Sequence, residues 1–185
     1  MQSSKPQTCK MSRLKEPKPV YLFTAIIYKP DSELSACIKT LNEELGETDF
    51  ESSELSFEGT AYYESEMGKL LKRKFITFNK LIARDKLKDI KVFTNSLEEK
   101  FLETGNRTIN IDPGYIALEH VILATGKGFA HRPYLGKGVY ADLTLIYRGN
   151  EYTALEWTYP DYGGAKRRSL FQTLRRKYVG KLGSD

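Results

Sequence analysis

VYADLTLIYR (139–148), Gly149-Asn150 and EYTALEWTY (151–159) form the stretch whose reading decides the fold. Two runs rich in β-branched and aromatic residues flank Gly-Asn, and glycine's access to positive φ at the first central position suits a two-residue hairpin turn. With Arg148 opposite Glu151 the register follows: Tyr147 meets Tyr152, Leu145 meets Ala154, Leu143 meets Glu156, Asp142 meets Trp157 and Tyr140 meets Tyr159. Strict alternation then sets Asp142 beside Tyr140, Trp157 and Tyr159 on one face, and Glu156 beside Leu143 and Leu145 on the other. A carboxylate in such company costs free energy unless it is hydrogen-bonded, paired or protonated. Pairing with arginines or lysines elsewhere explains both acids; a role as Mg²⁺ ligands or, for Asp142, in catalysis is the sharper alternative.

Immediately upstream, GKGFAHRPYLGKG (126–138) sets Lys127, His131, Arg132 and Lys137 among four glycines. Glycines let backbone amides approach a ligand, and these side chains suit a phosphate or carboxylate, so the loop reads as an anion cradle. It matches neither GxxxxGK[ST] nor a strand-to-helix GxGxxG, and a solvated connection explains the same composition. Of the two histidines, His131 is the candidate acid or base. His120, in ALEHVILAT, alternates with Ile122 and Ala124 and reads as a packed residue. Asn110-Ile111-Asp112-Pro113-Gly114-Tyr115 reads as a type II turn, with Asp112 as a capping side chain.

NIDPGYI, LATGK, HRPYLGKGVYADLTLIY and WTYPDY, with the upstream TAYYESEMG and LKRKFITF, resemble a bacterial family known as domain of unknown function 4416, over the chain from about Pro19 to the C-terminal helix. That pattern more often has HRIYL and YAEVTL, so Pro133 and Asp142 depart from it. Aspartate for glutamate keeps the charge and shortens the reach, which weighs against a metal-ligand role more than against an ion pair. The resemblance implies no particular activity.

The rest of the chain supports an α+β class. VYLFTAIIY (20–28) is a continuous β-branched and aromatic run suited to a buried central strand. Pro30 stops it, and Asp31 or Ser32 can cap a helix through SELSACIKTLNEELG, where Leu34, Ile38, Leu41 and Leu45 recur at helical spacing and Gly46 supplies the end. DFESSELSF and GTAYYES read as two strands leading to LKRKFITF. Arg73 and neighbouring charges near Tyr62 and Tyr63 read either as one wall of the same cleft or as exposed surface ion pairs. Arg84 to Thr104 reads as one long helix with Leu87, Ile90, Phe93, Leu97 and Phe101 on one face, its propensity interrupted at Asn95-Ser96. AKRRSLFQTLRRKYVGKL is an amphipathic basic helix burying Leu170, Leu174, Tyr178 and Phe171, with its lysines and arginines solvated. The expected architecture is a mostly antiparallel sheet with packed helices, a ferredoxin-like split βαβ plus a C-terminal hairpin and helix. Residues 1–18 are expected to be a disordered basic tail and 19–181 a single α+β domain.

The chain's 185 residues are 40% apolar and carry a net charge of +5. Residues 1–18 hold five basic residues against Glu16, and residues 165–185 seven against Asp185, so the body between them is net negative. A nucleic-acid-binding core would spread basic charge over the fold. Cys9 and Cys37 form no zinc motif or disulfide framework, and no apolar run is long enough to span a bilayer, so a cytoplasmic protein without a membrane partner is expected.

The expected function is binding of a small anionic ligand, a phosphate-bearing nucleotide or metabolite, in a cleft between the 126–138 loop and the 139–159 hairpin. Lys127, Arg132, Lys137 and Arg73 would supply donors, with Tyr140, Trp157 and Tyr159 as a stacking wall. If there is a reaction it is phosphoester hydrolysis, with His131 and Asp142 in the chemistry and Mg²⁺ held by Asp142 and Glu156. On this reading His131→Ala and Asp142→Asn abolish binding and spare the fold. An RNA or ribonucleoprotein-associated domain using the basic termini, and a ligand-free interaction module, are the alternatives.

Overall fold

β1 (Val20–Tyr28) is buried along its whole length and occupies the middle of the sheet, where both faces of a strand must be apolar. In this computed structural model, which describes residues 13–57 and 61–183, the chain continues through α1 (Leu34–Leu45), β2 (Thr48–Glu51), β3 (Leu55–Ser56), α2 (Ala61–Met67), β4 (Lys72–Ile82) and α3 (Leu87–Glu98). Then come β5 (Leu102–Glu103), β6 (Asn106–Arg107), β7 (Ile109–Ile116), β8 (His120–Thr125), β9 (Tyr134–Gly136), β10 (Val139–Arg148), β11 (Glu151–Ala154), α4 (Pro160–Gly163) and α5 (Ala165–Leu182). The main sheet runs β11-β10-β8-β7-β1-β4-β2, with β3 beside β4 and β9 beside β10, and every pairing is antiparallel. Its inner part, β7-β1-β4-β2 with α1 and α3 as crossovers, is the expected split βαβ. β8, β10 and β11 extend it beyond β7.

Helices cover both faces. Alternate β1 residues Leu22 and Ile26 pack with Cys37 and Leu41 of α1 and with Ile90 and Leu97 of α3. Tyr21, Phe23 and Ala25 face the other way, against Tyr162 of α4 and Phe171, Leu174 and Tyr178 of α5. α2 lies on this second side, where Met67 packs with Ile27 and Leu71. Among the described residues no helix is long and apolar enough to cross a membrane.

Several expectations need correction. Of GTAYYES, residues 59 and 60 lie outside the described residues and residues 61–65 are helix, the start of α2, not strand. α1 starts without a side-chain cap, and Ser32 instead donates to the Lys29 carbonyl. The long helix is shorter than expected, unbroken at Asn95-Ser96 and finished by a 3-10 turn at Glu99–Phe101. Thr104 and Gly105, both at positive φ, then turn a small hairpin between β5 and β6.

NIDPGY is strand, not turn, and Gly114 is absent from the residues at positive φ. Beyond the reach of β8, the Ile111 amide donates to Glu98 (2.7 Å) and its carbonyl accepts from Lys91 (3.0 Å). Pro113, two residues on, turns toward the same free edge, where its missing N–H breaks no ladder bond. The absent Gly114 side chain is a packing requirement: a Cβ there would lie 2.5 Å from the Ile122 carbonyl and 2.7 Å from the Phe23 ring.

The first 12 residues of the expected tail lie outside the described residues. Residues 13–19 are exposed and without regular structure. The Tyr178 hydroxyl fixes the point of entry into β1 by donating to the Pro19 carbonyl at 2.7 Å.

Candidate functional site

The hairpin turns as read: Arg148 pairs with Glu151, Tyr147 with Tyr152 and Leu145 with Ala154. There the ladder stops. A bulge between Leu143 and Leu145 shifts the register of β10 against β8, so Val139, Ala141 and Leu143 face the α3 side while Leu145 and Tyr147 face α5. The expected pairs Leu143–Glu156, Asp142–Trp157 and Tyr140–Tyr159 therefore do not form. Residues 155–158 instead fold into a turn that takes up the carbonyls left around the bulge. Trp157 Nε1 donates to Leu143 O (2.8 Å), and Thr158 Oγ1 donates to Thr144 O (2.7 Å).

On this frame Arg132 folds inward from the loop. Its Nε and Nη2 both reach Asp142 Oδ2, at 2.8 and 2.7 Å. Nη1 donates to the Lys127 carbonyl (3.1 Å) and Nη2 also to the Tyr159 hydroxyl (3.0 Å), while the Phe129 ring packs on the guanidinium at 5.0 Å. Both charged side chains are buried. Asp142 is thus the partner of Arg132, the plainer of the two readings of this residue. Glu156 is exposed on the turn and is not brought to Asp142. No group of three or more His, Cys, Asp or Glu side chains among the described residues could hold a metal ion.

His131 lies flat against Trp157, with ring centres 4.8 Å and planes 14° apart, and Phe129 flanks it at 5.9 Å. Its Nε2 is buried without a hydrogen-bond partner. Phe129, Trp157 and Tyr159 are 64, 38 and 47% exposed. Tyr140 packs on Tyr134 (5.1 Å) and closes over Gly128, where a Cβ would lie 3.1 Å from its ring. Lys137 leaves the group: at positive φ between Gly136 and Gly138, it pairs with Asp89 of α3 (2.8 Å), on the opposite side of the sheet from α4. His120 packs on Tyr115 at 5.8 Å, and burial lowers its pKa.

Tyr159 also begins α4, whose single turn links the loop to the sheet. Pro160 occupies the first helical position, where its missing N–H costs nothing. Asp161 pairs with the buried Arg73, and Tyr162 packs on Phe75 and Phe171, 5.9 Å from each. Arg73 is enclosed by aromatic rings, with Phe57 at 4.4 Å and Tyr162 at 5.4 Å. Arg167, near the start of α5, lies over Phe75 at 5.4 Å, and burial followed by the charge of Arg73 lowers its pKa. The motif WTYPDY was legible as a unit, but nothing local in it marks Asp161 as the partner of a residue 88 positions away.

A second polar network closes the free edge of β7. Arg107 grips Glu66 of α2 through two bonds of 2.7 and 2.8 Å and also reaches Glu98 and Asn110. Asp112, expected to cap a turn, accepts from Asn110 (2.9 Å) and lies 3.5 Å from Lys91. Burial raises the Glu98 pKa despite the nearby Lys91.

Two open grooves, of about 840 and 440 Å³, lie elsewhere: one beside Asn79, Lys80 and Lys181, the other beside Glu44, Lys86 and Phe93. Neither is lined by any of the residues singled out as candidate ligand, catalytic or metal residues. The structure thus brings together His131, Arg132, Asp142, Trp157 and Tyr159 on a shelf, with Arg73 joined to it through α4. It does not bring Lys137 or Glu156 to the same place.

No curated protein and no solved structure matches the chain. Residues 18–178 match one protein family over most of the sequence. By that match, and in keeping with the motifs NIDPGYI, HRPYLGKG and WTYPDY, the chain belongs to the family described as Domain of unknown function (DUF4416).

Proposed function

We propose that this protein binds a small ligand with a planar ring and an anionic group, a phosphate-bearing nucleotide or metabolite, on the shelf made by the 126–138 loop and the 155–159 turn. The observation behind this reading is the set of exposed but immobilised rings. Phe129, Trp157 and Tyr159 present between 38 and 64% of their surface. Each nevertheless has fixed contacts: Phe129 with Arg132, Trp157 with His131 and the Leu143 carbonyl, and Tyr159 with Arg132. Rings already held in place lose little side-chain entropy when a ligand stacks on them.

The anionic preference follows from the acceptors around Arg132. Besides Asp142 it donates only to neutral oxygens in these contacts, the Lys127 carbonyl and the Tyr159 hydroxyl. Replacing a neutral acceptor by a charged one roughly doubles the strength of such a bond. Within the shelf His131 is stacked between Trp157 and Phe129.

A panel of nucleoside mono-, di- and triphosphates and phosphorylated sugars tests the reading by thermal shift. At least one member is expected to raise Tm with concentration, since a ligand specific for the folded state stabilises it by mass action. Phe129→Ala should remove that increase with little change in the unliganded Tm. A panel without any stabiliser, or a Phe129→Ala variant that responds like the parent, contradicts the reading.

A further inference from the structure

Beneath α4 two arginines meet around one aromatic ring. Arg73 and Arg167 both lie within 6 Å of the Phe75 ring, at 5.7 and 5.4 Å. Asp161 pairs with Arg73, but among the described residues no carboxylate pairs with Arg167. Three polar atoms here are buried without a partner: Arg73 Nε, Arg167 Nε and the Tyr162 hydroxyl. Arg73 and Tyr162 are only 4 and 3% exposed. A buried donor left unpaired is costly, and a buried guanidinium with an incomplete set of acceptors more so.

The start of α5 adds further cations. Lys166, Arg167 and Arg168 follow one another in its first turn, which contains no acidic residue. That is the positive end of the helix dipole, where anions are favoured and cations are not. Tyr162 completes the arrangement, because burial raises its pKa and keeps the hydroxyl a proton donor at neutral pH, within range of the charges of Arg73, Asp112 and Arg167.

We infer that Arg73, Arg167 and Tyr162 form the seat of a tetrahedral oxyanion, a phosphoryl group, beneath α4. Two guanidiniums and a phenol each keep a buried polar atom unpaired, and Asp161 orients Arg73. The inference deepens the ligand reading above and rests on it for the remainder of the molecule, whose ring would lie on the shelf at the other end of α4.

The test uses the full chain and inorganic phosphate, titrated calorimetrically in a phosphate-free buffer. The parent should bind phosphate saturably. Tyr162→Phe, which removes one oxygen, and Arg167→Met, which keeps the aliphatic stem, should each weaken binding tenfold or more while retaining the parent's circular dichroism and a Tm that is unchanged or higher. Absence of phosphate binding by the parent, or equal affinity in both folded variants, overturns the seat. Adenosine, which has no phosphate, separates this inference from the ligand reading through the fluorescence of Trp157. If adenosine perturbs Trp157 and phosphate does not bind, the seat is wrong and the shelf stands. If phosphate binds as described and neither adenosine nor its monophosphate perturbs Trp157, the seat stands and the shelf reading falls.

Discussion

Arg132 and Asp142 leave 4 and 3% of their side chains exposed, with 2.7 Å between Nη2 and Oδ2. Two charges at that depth are tolerable because each neutralises the other, and removing one strands its partner in a poorly solvated place. Asp142→Asn is therefore expected to lower stability by about 3 kcal/mol, as breaking a buried pair does, rather than to spare the fold as the sequence suggested. The double replacement Arg132→Met with Asp142→Leu should recover much of that loss, since it strands no charge. Urea denaturation measures both, and an Asp142→Asn midpoint equal to the parent's contradicts this account of the pair. The need of Asp142 for a partner was legible from its apolar and aromatic neighbours. The identity of the partner followed from the adjacent loop only once that loop was seen to fold inward. Glu156 was misplaced for a different reason: β11 ends at Ala154, beside the bulge in β10, and residues 155–158 turn away from the ladder, which no residue type announces.

At the scale of elements, the strongly periodic segments were read correctly. β1, α1 and α5 each have a continuous or helical apolar pattern that a single packing arrangement satisfies. α2 and β7 were misread because local preference and tertiary docking conflict there. Tyrosine-rich GTAYYES favours strand locally, yet Met67 docks on Ile27 as part of a helix. Pro113-Gly114 signals a turn, yet the strand continues because its free edge is closed by Lys91 and Glu98.

The tie between α5 and β2 makes a pH-dependent contribution. Burial alone would raise the Asp49 carboxyl, but hydrogen bonds from Thr77, Tyr21 and Lys181, with the charge of Lys177, outweigh it and hold the pKa at about 2. Because the folded value lies below the ordinary one, this stabilisation is complete above about pH 4 and lost as the pH falls toward 2. The stability gap between the parent and Asp49→Asn should accordingly be about 2 kcal/mol smaller at pH 2 than at pH 6, in urea denaturation at each pH. Parallel stability curves over that interval would contradict the assignment.

For the molecule as a whole, the order of strands and helices pointed to a split βαβ with an appended hairpin, and the sheet order agrees. The division of charge was also legible, but its use was not. Several cations of the basic C-terminal helix bind the sheet instead of facing water. Arg175 donates to the Leu118 carbonyl and covers Tyr147, Arg168 reaches the Tyr152 carbonyl, and Lys177 and Lys181 pair with Asp49. The second helix-covered face joins α4 to the loop, and with it Arg73 and Arg167 to the aromatic shelf. Contacts across such sequence separations leave no local trace.

Trp157 is the chain's one tryptophan, so its emission reports on the shelf without a label. Titrating the full-length protein with a mononucleotide while following that emission tests the central claim most directly. A saturable change, weakened in Phe129→Ala, is the result predicted here. Emission that stays constant up to millimolar mononucleotide, while the same samples show binding by calorimetry, would place the ligand away from the shelf and contradict the account.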